Sequence, residues 1–129
     1  MTAAGEFDVK LTAQPMPSGA DKLLGRLLLD KQFRGGLTGE SKGEMLSAAT
    51  ATKGSAGYVA IEKVTGAIEG RAGTFVLQHS GTMHRGEGQL TVTVVPDSGT
   101  GELEGLTGRM AIRITGGKHY YEFDYSLEP

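Results

Sequence analysis

A chain of 129 residues suits one domain spanning residues 1–129, able to bury about two thirds of the surface that its unfolded form exposes. With 38% hydrophobic and 22% charged residues it belongs to the globular class, and a net charge of −2 with no two adjacent Lys or Arg residues excludes the basic footprint of a nucleic-acid binder. Zero cysteines exclude disulfides, thiolate metal sites and cysteine nucleophiles, and fit a reducing, cytoplasmic compartment.

The N-terminal MTAAGEFDVK carries no basic segment followed by an apolar core, and nowhere do about 18 apolar residues run together, so neither a signal peptide nor a membrane span is expected. Residues 6–12 alternate, Phe7, Val9 and Leu11 against Asp8 and Lys10, as a half-buried strand does, and Pro15, Pro17, Ser18 and Gly19 end it. Residues 23–34 suit a helix through Leu24, Leu27 and Leu28 or a strand through Leu27, Leu29, Lys31 and Phe33. Gly25 inside the run, a single candidate cap at Asp21 and the following Gly35-Gly36 favour a strand. Residues 37–46 alternate Leu37, Gly39, Ser41, Gly43 and Met45 against a charged face, and residues 47–54, SAATATKG, read as a connector.

The stretch 54–81 contains two alternating runs joined at a glycine-rich turn, the second ending in His79 among hydrophobes. Residues 89–95 place Leu90, Val92 and Val94 on one face, and Pro96-Asp97-Ser98-Gly99 stops them with turn chemistry. Residues 107–114 set Met110, Ile112 and Ile114 together, Gly116-Gly117 signals a two-residue hairpin, and residues 118–127 carry His119, Tyr121, Phe123, Tyr125 and Leu127 on one face.

Gly66 to Phe75 and Gly101 to Met110 share the pattern G-x-[IL]-E-G-x-x-G-x-[FM], with a looser copy from Gly35. Each copy stands where one strand hands over to the next, which makes it a corner device: glycines for positive φ and an aliphatic side chain to plug the core. Eight alternating runs with little or no helix predict an all-β fold, an antiparallel sheet closed into an eight-stranded barrel so that no edge is exposed.

The segments GSAGY at 54–58, FVLQHSGTM at 75–83, VVPDSGTGEL at 94–103, GLTGRM at 105–110 and HYYEFDY at 119–125 resemble the bacterial domain-of-unknown-function family 3224 over nearly the whole chain. That resemblance implies an allene oxide cyclase-like barrel, closed and eight-stranded, around a central cavity. It brings no named activity and no site motif of the cyclases with it.

Strand parity selects the inner set. Phe75 and Leu77 draw His79 inward, and the same rule turns Lys31, Ser41, Met45 and His119 to the lumen. For residues 55–65 two faces are credible; Tyr58 and Glu62 are assigned inside, because burying Lys63 without a partner costs more than burying a carboxyl that can take a proton. His79 and Glu62 then form an acid/base pair whose glutamate is expected to have a raised pKa, with Tyr58 or Tyr121 donating to a developing oxyanion. Phe33, Ser41, Met45, Phe75, Leu77, His119 and Phe123 are the expected ligand wall. The bland alternative is a structural or interaction barrel with a filled lumen, its polar groups bonded to one another.

Gly39-Glu40-Ser41-Lys42-Gly43 matches the nucleophile-elbow pattern but lies in an alternating run without the strand-turn-helix context that the motif needs. The spacing of His79, His84 and His119 predicts no metal, and nothing calls for a cofactor. Val59, Ile61 and Val76 fall outside and predict a homodimer or higher homo-oligomer. The expected function is a barrel that binds an apolar small molecule in its central cavity, with isomerase or cyclase chemistry by its acid/base groups as the enzymatic form of that reading.

Overall fold

Period-two alternation builds eight strands in the computed structural model, which describes residues 1–16 and 23–128: β1 (Thr2–Gln14), β2 (Leu24–Gly35), β3 (Leu37–Ala49), β4 (Ala56–Ile68), β5 (Arg71–His84), β6 (Glu87–Val94), β7 (Leu106–Thr115) and β8 (Lys118–Leu127). Each pairs antiparallel with the next and β8 returns to β1, so the sheet closes into a barrel. No α-helix occurs among the described residues; residues 23–34, where a helix competed with a strand, are strand from Leu24 on. Pro17, Ser18, Gly19 and Asp21 lie outside the described residues.

Three hairpins turn on two residues, Glu69-Gly70, Arg85-Gly86 and Gly116-Gly117, with φ positive at both positions. That is the type I′ turn, whose twist matches the strands it joins. The repeated corner motif works as its composition suggests. Leu37, Ile68 and Leu103 are fully buried, and together with Leu106 they plug one end of the tube.

Strand lengths depart from the sequence reading where side chains are small. Residues 47–49, assigned there to a connector, continue β3 and pair with Tyr58, Gly57 and Ala56, because the backbone ladder needs no side-chain alternation to form. β1 likewise starts at Thr2, pairing with Asp124 of β8. Beyond Pro96 the chain does not merely turn. The connector 95–105 runs along the part of β5 that β6 leaves unpaired, Val95 N–H donating to Val76 O at 2.9 Å and Thr100 N–H to Thr74 O at 2.8 Å. Ser98 Oγ and Thr100 Oγ1 accept from the Val76 and Thr74 amides, both at 3.0 Å. Val76 is therefore half-covered and does not join the outer apolar face, where Leu46 stands beside Val59 and Ile61 instead.

The two ends of the barrel differ. At the plugged end Phe75 stacks on Phe123 with ring centroids 5.9 Å apart, and Tyr125 donates to Glu69 Oε1 at 2.6 Å. At the other end, side chains of the inner face remain in solvent: Leu11, Met83, Leu90 and Ile114 are 42–66% exposed. β6 and β7 also part there. Their ladder is limited to Thr93 and Arg109, whereas β7 and β8 stay zipped from Leu106 to Thr115.

Tyr121 belongs to the scaffold. Its buried hydroxyl accepts from Leu37 N–H at 2.9 Å and shares its proton between Arg34 O at 2.7 Å and Leu37 O at 2.9 Å, which ties β8 to the β2–β3 corner. Tyr121→Phe leaves a buried backbone donor and two carbonyls short of a partner and should cost about 1–3 kcal/mol in urea denaturation. A loss below about 0.5 kcal/mol would show that the corner holds without it.

Candidate functional site

Midway along the lumen, between the apolar plug and the open end, four adjacent strands each contribute one polar side chain. Lys31 (β2), Ser41 (β3), Glu62 (β4) and His79 (β5) are no more than 4% exposed. Lys31 stands opposite Ser41, Gly43 opposite Glu62, and Ala60 opposite His79, so the register gathers them into one layer. Gly43 is required in that layer: a Cβ there would lie 2.6 Å from Glu62 Cα and run into the Ile61 carbonyl.

Glu62 is the hub. Its Oε1 accepts from Ser41 Oγ at 2.8 Å; its Oε2 accepts from Lys31 Nζ at 2.8 Å and His79 Nε2 at 2.6 Å. Burial alone pushes the carboxyl upward, but the His79 hydrogen bond and the Lys31 charge outweigh it and bring the pKa down to about 2. Glu62 is thus a carboxylate at neutral pH. The raised pKa anticipated from desolvation is overturned by the His79 hydrogen bond and then by Lys31, on the strand beyond the neighbour, which supplies the counter-charge. Lys31 in turn lies 4.7 Å from the Phe7 ring centroid and 5.8 Å from that of Phe33, against which the cation is held.

An ionised Glu62 fixes the imidazole: Nε2 carries a proton toward the carboxylate and Nδ1 faces the other way. There it meets the Tyr58 hydroxyl at 3.4 Å. Tyr58 is half-buried at the edge of the open end. Its ring lies across Gly81, where a Cβ would come within 2.6 Å of Cε1, so the glycine on β5 makes the bed for the tyrosine of β4. Burial first, and the Glu62 charge second, raise the Tyr58 pKa, and the group stays a phenol.

The structure therefore brings Glu62, His79, Tyr58 and Ser41 into one network and leaves Tyr121 at the corner described above. Of the expected ligand wall, Phe33 packs beside Lys31, and Leu77 stands opposite Glu62 in the register. Met45 and His119 are half-buried toward the open end, His119 with its ring 5.1 Å from that of Phe7. Phe75 and Phe123 are wholly buried in the plug, away from the open end. The Gly39-to-Gly43 motif lies within β3, with Ser41 engaged on Glu62, so no nucleophile elbow is formed. Among the described residues no group of three or more His, Asp or Glu is placed to hold a metal ion. Lys31 is the member that sequence reasoning placed inside without giving it a task; its signal was an inward charge two strands from an inward carboxylate.

Barrel and network together define a class, a closed eight-stranded antiparallel barrel with an ionised layer across its lumen. The chain belongs to the DUF3224 family, described as a protein of unknown function, whose family model matches residues 3–125. It is similar to the crystal structure, at 1.84 Å resolution, of a protein with unknown function from the DUF3224 family of Shewanella oneidensis MR-1. The two are 54% identical with a TM-score of 0.96, and the match covers 100% of this chain and 98% of the other. No curated protein matches the chain. No helix among the described residues is long and apolar enough to cross a membrane.

Proposed function

We propose that the protein is a cytoplasmic binding barrel that takes an apolar small molecule into its open end, over the floor made by Tyr58 and His79. The observation that carries this reading is the set of inner-face apolar side chains left in solvent at that end, Leu11, Met83, Leu90 and Ile114, above a layer in which the buried polar atoms are already paired. A packed barrel has no reason to keep such a rim wet, and a ligand would cover it. Paired polar groups favour a binding protein over an enzyme. The isomerase or cyclase reading draws on the Tyr58–His79–Glu62 chain, which could pass a proton between a bound molecule and the imidazole.

We also propose that a second copy covers the outer face of β2–β4. Leu28, Leu46, Val59 and Ile61 are 39–55% exposed there, and Leu46, Val59 and Ile61 line a groove of about 750 Å³ that extends to Gln78 and Ser80 of β5. Arg26 and Glu44, bonded at 2.8 Å, stand on its rim, where a two-fold axis would set each against its counterpart in the second copy.

One experiment separates the two surfaces. Titration of the neutral fluorophore N-phenyl-1-naphthylamine should raise its emission with the native protein, lose that rise with Leu90→Asp, and keep it with Val59→Asp. Val59→Asp should instead reduce the mass seen by light scattering to that of one chain. A fluorescence rise abolished by Val59→Asp and kept by Leu90→Asp would move the ligand to the outer groove; an unchanged mass would remove the dimer.

A further inference from the structure

The head group of the ligand follows from the hydrogen-bond capacity of the floor, provided that the open end is the ligand cup proposed above. Within the network Glu62 has both oxygens engaged by Ser41, Lys31 and His79, and His79 has Nε2 on Glu62 and Nδ1 on Tyr58. Tyr58, half-buried where Lys31, Ser41, Glu62 and His79 are buried, is the member of the network with exposed surface. A phenol has one proton and two lone pairs; with Nε2–H on Glu62, Nδ1 accepts and Tyr58 gives it the proton. What Tyr58 offers the cup is a lone pair. A ligand hydroxyl donates to it, a carbonyl has no proton to give, and an ammonium would leave its other N–H groups unpaired against an apolar wall.

Charge narrows the class further. The Lys31 cation is already paired with Glu62 at 2.8 Å, so the floor has no spare positive charge for an anion. The Glu62 charge is felt at the Tyr58 hydroxyl and opposes a carboxylate or phosphate brought there.

We propose that the cup binds a neutral apolar alcohol or phenol, its hydroxyl on Tyr58 Oη and its hydrocarbon part against Leu27, Met45, Leu90 and Ile112. The site discriminates by hydroxyl, not by charge.

The test titrates three probes of one shape, 2-naphthol, 2-methylnaphthalene and 2-naphthoate, into the native protein and into Tyr58→Phe, followed by NMR signals of the His79 ring and of the Leu90 and Ile112 methyls. 2-Naphthol should bind the native protein best and 2-naphthoate worst. Tyr58→Phe should weaken 2-naphthol about threefold to tenfold and leave 2-methylnaphthalene unchanged. Gly81→Ala, which forces the Tyr58 ring aside, should reproduce that selective loss. Equal effects on 2-naphthol and 2-methylnaphthalene, or naphthoate binding best, would overturn the hydroxyl assignment and leave the cup standing. If none of the three moves the Leu90 or Ile112 methyls, the cup itself is refuted and the head-group assignment falls with it.

Discussion

Glu62→Gln should lower the free energy of unfolding by about 3–5 kcal/mol at pH 7, a large share of what a domain of this size possesses. The substitution is nearly isosteric, but its one amide oxygen can accept from only one side of the network, Ser41 at the Oε1 position or His79 at the Oε2 position. What it removes is the negative charge, which strands the Lys31 ammonium in a lumen where it is 4% exposed and has only the Phe7 and Phe33 faces besides. Breaking one side of a buried pair is much costlier than replacing both, so Lys31→Met with Glu62→Gln should recover most of the loss. The four members of this cycle, compared by urea denaturation, give the coupling directly. Additive losses in the double variant would mean that the two charges do not stabilise one another and that the layer is held by its hydrogen bonds alone.

Acid should act on the same group. Glu62 has its pKa depressed from the ordinary 4.5 to about 2 in the folded protein, so the stability it contributes is fully present above pH 4.5 and is lost as the pH falls toward 2. The whole contribution is about 3 kcal/mol, of which about 2 kcal/mol should be gone at pH 3. Other carboxylates titrate over the same range, and the double variant without Lys31 and Glu62 provides the reference. Between pH 7 and pH 3 the native protein should lose about 2 kcal/mol more than that variant does. Equal losses would show that Glu62 titrates alike in the folded and unfolded chains.

Why so much of this was readable in the amino-acid order, and some of it not, is a matter of which forces leave a periodic trace. Alternation marked all eight strands because each has one wet and one buried face, and Gly-x-[IL]-Glu-Gly marked corners because a plug such as Ile68 must be followed by a turn with positive φ at Glu69 and Gly70. The choice of Glu62 over Lys63 for the lumen came from a desolvation cost, and the register bears it out. The ionic partner was not legible. Lys31 and Glu62 are 31 positions apart and meet across β3, in a register that no local pattern records. Nor was the task of Tyr121: parity turned it inward, but only the corner backbone at Arg34 and Leu37 explains its hydroxyl. The parting of β6 from β7 left no trace either, since Leu90 and Ile112 alternate as if paired to the end.

An ionised glutamate inside the barrel organises the polar layer. An NMR titration of the Glu62 side-chain carboxyl carbon in the native protein reads it directly. The carboxylate signal should persist from neutral pH down to about pH 2, following the Lys31 and His79 pairing. A midpoint above the ordinary glutamate range would make Glu62 a neutral acid, and the charge-balanced floor would be contradicted.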